Sequence, residues 1–141
     1  MTTMTTGILI CTDGTAEAVE VASDSAGHLA HMRTLVGADY LDVVGIASAY
    51  GPIDAWVNDE GAFTAIPNVA ATVILSEVAG RQMQPLFGPA LLLSRDGADT
   101  IALSADQAEY VTEIHALASK MPKLHESIAR AHAEAALSGR H

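Results

Sequence analysis

The sequence predicts an α+β fold: a mostly antiparallel sheet of about five or six strands, two helices packed on it and a C-terminal helical hairpin. Three features point there. Short apolar runs are closed by the tight turn pairs Asp13-Gly14 and Asp96-Gly97, as hairpins require. Two longer segments between them begin with cap oxygens and stop at a glycine. After Ser104 the apolar residues recur at helical spacing only.

Residues 7–12 are a β-branched run that Asp13-Gly14 turns back into Ala16-Glu17-Ala18-Val19-Glu20-Val21. That second run alternates apolar and acidic residues, so the pair is expected to be an N-terminal hairpin with one wet, acidic face. Ser23-Asp24-Ser25 offers cap oxygens to a helix over residues 26–36, with Gly37 at its left-handed stop and Leu29, Met32, Leu35 and Val36 on its apolar side. Residues 40–49 are a second strand region, broken by Gly51-Pro52. Residues 54–58, the turn Asp59-Glu60-Gly61 and residues 62–66 read as another hairpin. Pro67-Asn68 opens a helix that Gly80 ends, with Val69, Val73, Leu75 and Val78 inward and Thr72, Ser76 and Glu77 outward. Gly88-Pro89-Ala90-Leu91-Leu92-Leu93 is nearly continuous apolar strand, hence central, and Asp96-Gly97 turns it into residues 100–102.

Ser104 with Gln107 is a capping box. The helix it opens carries an apolar seam of Val111, Ile114, Ala118 and Met121. Pro122 then suits the first turn of a last helix, whose seam is Leu124, Ile128, Ala131 and Ala135. The chain thus divides into an α+β core over residues 1–104 and a helical extension over 105–141. That extension either folds over its own sheet or packs on a second copy as a homodimer.

Composition narrows the function classes. Of 141 residues half are hydrophobic and 17% are charged, which suits one folded domain rather than a disordered chain. Aromatics are only 4%, so the core is built from Ala, Val, Leu and Ile. Seven Lys and Arg against 17 Asp and Glu give a net charge of −10. The seven cations never form a run, which argues against direct nucleic-acid binding and against anionic membrane surfaces. Twelve of the acids and only three of the cations fall in residues 1–104, so the acidity belongs to the α+β part. The longest weakly polar stretch, residues 62–75, contains Pro67 and Asn68 and is shorter than the ~20 residues that span a bilayer. Met1 to Thr6 carry no cation, unlike a secretory leader, and a cytoplasmic location is expected. Cys11, alone, cannot form an internal disulfide and reads as a small buried hydrophobe.

The turn Asp59-Glu60-Gly61, the helix start Asn68-Val69-Ala70-Ala71-Thr72 and the strand from Gly88 through Leu93 to the closing Leu103-Ser104 occur in a characteristic order. Over residues 7–104 that order resembles a domain-of-unknown-function family, the one numbered 3846, found mainly in phages, plasmids and their hosts. The family has no established activity, so the resemblance implies a mobile-element origin and a bacterial host cytoplasm rather than a reaction. The 26 alanines and two lysines agree with a GC-rich coding sequence.

Candidate chemistry is sparse. His28 and His31 lie three apart on the first helix, with Asp24 one turn earlier, a spacing that could aim two imidazoles and a carboxylate at one metal; Asp24 is equally a helix cap. His125 and His132 fall on a polar stripe, and His115 beside the seam suits a hydrogen-bonded interface. Neither a nucleophile elbow nor a phosphate-cradling glycine loop occurs, and no cofactor is expected. Trp56 and Tyr50 flank Gly51-Pro52, where Arg81 or Arg95 would complete an aromatic rim able to stack a base; alternatively Trp56 anchors the core. The leading expectation is a non-enzymatic acidic protein of a phage or mobile element that binds and modulates a host protein. The alternatives are a nucleotide-sequestering protein using the Trp56/Tyr50 rim and a metal-dependent hydrolase at His28/His31.

Overall fold

Ala90-Leu91-Leu92-Leu93 presents apolar side chains to both sides, and a strand of that kind must be covered on both faces. In the computed structural model, which describes residues 4–22, 27–60 and 66–118, it forms the centre of one antiparallel sheet. The elements are β1 (Met4–Ile10), β2 (Ala16–Ala22), α1 (His28–Val36), β3 (Leu41–Ile46), β4 (Ile53–Asn58), α2 (Val69–Ala79), β5 (Ala90–Asp96), β6 (Asp99–Ile101) and α3 (Ala105–Ala118). The strand order is β2-β1-β5-β4-β3, with β6 also on β5. The fold is α+β, as predicted. The second arm of the expected helical hairpin, with Met121, Leu124, Ile128, Ala131 and Ala135, lies outside the described residues.

Strand alternation sorts the core into two. Ala90 and Leu92 of β5 join Ile53, Ala55 and Val57 of β4 in a core shared with α2 and α3. Leu91 and Leu93 point the other way and pack with Leu9, Val21, Met32 and Val36 under α1. The sheet is therefore sandwiched, with α1 on one face and α2 and α3 on the other. Because Ser94 already pairs with Ile53 of β4, its pairing with Ile101 places β6 on the β1 side. There β1 pairs with β5 only over Ile8–Ile10. Gly7 sits at the parting, where a Cβ would lie 2.7 Å from Leu92 O and from Leu93 Cδ2.

The expected N-terminal hairpin forms, with Ile10 opposite Ala16 and Gly7 opposite Val19. At its turn the Thr15 hydroxyl and amide both donate to Asp13 Oδ1, at 2.7 and 2.9 Å, and hold that carboxyl below its ordinary range. The single acidic face does not form. Glu17 shares the face of Val19 and Val21, which pack toward α1, while Glu20 points to the opposite face. The alternation slips at Ala18-Val19, where two apolar residues adjoin.

Two more expectations are corrected. Helix α1 begins at His28 rather than at residue 26, with Gly27 at the cap position; the cap candidates Ser23, Asp24 and Ser25 lie outside the described residues. The hairpin partner of β4 is β3, across Gly51-Pro52, and β5 occupies the other edge of β4. Gly51-Pro52 acts as a turn, with Gly51 N–H donating to Ser48 O at 3.2 Å, rather than as a break. Residues 62–65 are outside the described residues.

Helix α2 departs most from the expected pattern. Asn68 is fully buried, and its side chain accepts from Ala71 N–H at 3.0 Å while donating to Ile10 O at 3.0 Å and Gly88 O at 2.8 Å. Thr72, expected outside, is also fully buried. Its hydroxyl donates to Asn68 O and accepts from Leu86 N–H. One turn on, Ser76 Oγ donates to Thr72 O and accepts from Met83 N–H. These three side chains tie the segment before β5 to α2.

An unpaired buried polar group costs about 1–3 kcal/mol, so Asn68→Ala, which strands three, is expected to lose roughly 3 kcal/mol or more in urea unfolding. Asn68→Asp keeps the cap acceptor but turns a carboxylate oxygen toward two carbonyls, and is expected to be no better. A loss of only about 1 kcal/mol, the worth of a cap alone, would contradict this.

Candidate functional site

The imidazoles of His28 and His31 serve the backbone. Ala22 N–H donates to His31 Nδ1 at 3.0 Å, and His28 Nδ1 lies 2.7 Å from Ala22 O. A carbonyl only accepts, so His28 Nδ1 carries a proton and His31 Nδ1 does not. The two rings, one turn apart on α1, thus clasp both polar groups of the residue that ends β2. His28 Nε2 is buried without a hydrogen-bond partner. Among the described residues no three or more His, Cys, Asp or Glu side chains come together as metal ligands would.

The aromatic rim is not assembled. The Tyr50 ring packs on Tyr110 of α3, centroids 5.0 Å apart and tilted by 55°, while Trp56 packs on the α1-side core, its Nε1 buried without a partner. Arg95 Nε lies 3.5 Å from Asp54 Oδ1, beside Gly45 on β3; Asp54 is only 5% exposed. Arg81 is elsewhere, just past the end of α2. The separation follows from topology. The β3–β4 turn bends under α3, where Gln107 Nε2 and Ser94 Oγ both donate to Pro52 O, whereas Trp56 points to the opposite face of β4.

The first half of the C-terminal seam is spent within the chain. Val111 and Ile114 are buried in the larger core, and Ala118 packs against Val73 of α2. The capping box is formed, with Ser104 N–H donating to Gln107 Oε1 and Gln107 N–H to Ser104 Oγ. His115, expected at an interface, contacts Gly14 O at 2.7 Å through Nε2 and so joins α3 to the β1–β2 turn. The described helix α3 is part of the core and shares it with residues before 104.

The more enclosed and more apolar of two ligand-sized depressions was not visible in the sequence. A cleft of about 480 Å³ opens between the β3–β4 end of the sheet and residues 81–87, within the ~300–1,000 Å³ of small-ligand sites. Val57, Leu75 and Leu86 give it an apolar floor, and Asp42, Asp59 and Arg81 contribute charge. Its outer wall is held by the Thr72 and Ser76 bonds to Leu86 and Met83 and by an isolated pairing of Pro67 with Phe87. Of the predicted site residues only Arg81 lines it. A second depression, about 620 Å³, lies by the end of α1 between Arg33, Tyr40 and Glu60; it is shallower and more polar. No helix among the described residues is long and apolar enough to cross a membrane.

These elements define a small α+β domain with a partly apolar, ligand-sized cleft beside an edge strand. The family model described as a domain of unknown function (DUF3846) matches residues 4–116, and the chain belongs to that family. The match runs through most of α3, past the Ser104 boundary at which the motif resemblance stops. No curated protein and no solved structure matches the chain.

The clasp separates a structural role of the histidines from a metal-binding one. Asn presents an oxygen and a nitrogen near the Nδ1 position of His, so His28→Asn/His31→Asn is expected to retain the thermal midpoint. The double alanine variant should lose about 1–3 kcal/mol, read by thermal unfolding with and without a chelator. Loss of stability on chelation of the native chain would contradict the clasp reading.

Proposed function

We propose that this chain is a non-enzymatic acidic binding protein of a phage or another mobile element, acting in a bacterial host cytoplasm by engaging and modulating a host protein, in host takeover or anti-defence. The observation that carries the reading is the charge distribution. Of the fourteen acids among the described residues, thirteen are solvent-exposed, against three arginines. One of those arginines, Arg95, is paired with the single buried acid, Asp54. The outward field is therefore negative and little relieved, which steers the protein toward a basic surface and repels nucleic acid. Commitment of both α1 imidazoles to Ala22 favours binding over hydrolysis. The mobile-element setting comes from the family resemblance.

Affinity capture from host lysate with the full chain, read by mass spectrometry, is expected to return one stoichiometric protein with a basic face. Its retention should fall as salt rises to about 0.5 M, where charges are screened beyond a few ångströms. Retention unchanged by salt, or a nucleotide released when the purified chain is denatured, would overturn the reading.

A further inference from the structure

Two exposed carboxylates and the C-terminal end of α2 border the cleft beside β3. Asp42 stands on the same face of β3 as Val44 and Ile46, which pack toward α2. Its Oδ1 accepts from Val43 N–H at 2.9 Å, and the carboxylate is exposed to solvent. Asp59 is placed by its own N–H, which donates to Tyr40 O at 3.0 Å, and its carboxylate is likewise exposed to solvent. Arg81, immediately past the Gly80 cap, lines the cleft, so the carbonyl end of α2 lies at its wall. That helix has no basic residue in its last turn, which leaves a partial negative charge there. The Arg81 guanidinium opposes these groups but makes no ion pair among the described residues.

We propose that this cleft takes an aliphatic cation: the side chain of a lysine or arginine carried by the protein partner. The inference rests on the binding reading above and names where its basic partner is gripped. Val57, Leu75 and Leu86 would cover the methylene stem, as apolar surfaces do for long basic side chains, while Asp42 and Asp59 meet the charged head. An anion would face two carboxylates and a helix C-terminus with one arginine in its favour. A purely apolar ligand would desolvate the carboxylates without replacing their water. Entry is by side chain rather than by an added strand. The Asp59–Tyr40 bond assigns even-numbered residues of β3 to the β4 ladder, so Val43 N–H points out from the sheet edge. Asp42 already occupies that N–H, which blocks strand addition at this point.

The test is amide chemical-shift mapping on the isotopically labelled full chain, titrated with n-butylguanidinium and n-butylammonium chlorides, with n-butanol and inorganic phosphate as controls. Both cations are expected to give saturable shifts at Asp42, Val44, Asn58, Asp59 and Gln84. Binding should be roughly tenfold weaker in Asp42→Asn/Asp59→Asn, whose fold is checked by its own amide spectrum, as charge-assisted contacts require. Arg81→Gln should bind the cations at least as well as the native chain. Equal shifts with butanol, phosphate shifts abolished by Arg81→Gln, or no shifts at these residues would overturn the proposal. A captured host protein held equally by the double Asn variant would overturn the cleft and leave the host-protein reading intact. Cation binding at the cleft with no host protein captured would do the reverse.

Discussion

One side-chain amide joins parts of the molecule that are far apart in sequence. Asn68 caps α2 through Ala71 and at the same time donates to the end of β1 at Ile10, 58 residues away, and to Gly88 at the entry of β5. A carboxamide is suited to this because it carries an acceptor and two donors on one rigid plane. Its burial without any spare polar atom removes alternative arrangements, since a shift of either strand end would strand a carbonyl in an apolar core. Thr72 and Ser76 extend the same device along the helix. They hold residues 83–86 against α2, so the bonds that set the position of β5 also build the outer wall of the cleft. Fold and candidate site share one set of polar ties.

Much of the architecture was legible because its causes are local. The apolar run at Ala90–Leu93 demands cover on both faces, and β5 is central. Asp13-Gly14 and Asp96-Gly97 make the turns that their backbone preferences dictate, and Ser104 with Gln107 forms its reciprocal cap. What escaped depends on distant partners. Thr72 reads as a surface residue until Leu86 supplies a backbone donor 14 residues later. His28 and His31 look like ligands because nothing nearby in sequence announces that Ala22 lies within reach of both. The rim of Trp56, Tyr50, Arg81 and Arg95 treated closeness in sequence as closeness in space, whereas strand alternation turned Trp56 to one face and the β3–β4 turn carried Tyr50 to the other. The cleft itself had no signature, since β3, β4 and the segment after α2 each contribute only a few residues to it.

The proposed binding function rests on the distribution of charge. Exposed carboxylates surround a well-packed, largely aliphatic interior, and the one buried carboxylate among the described residues, Asp54, lies beside Arg95. A surface of this kind attracts a basic partner at long range but does not by itself orient it. Orientation needs a shaped feature, and in the cleft beside β3 an apolar floor meets two exposed carboxylates. Asp42 also occupies Val43 N–H, as residues that blunt an exposed strand edge do, so on the proposed reading the same residue would limit strand pairing and present charge to the cation.

The most direct test of the Asn68-centred constraint is native-state amide hydrogen exchange. If the constraint holds the fold together, the amides of Ala71 and Leu86, bonded to Asn68 Oδ1 and Thr72 Oγ1, exchange only through global unfolding, at the rate of the Leu92 amide in β5. Exchange of Ala71 and Leu86 orders of magnitude faster than Leu92, through local opening, would show that the strands hold without these ties and would contradict the account.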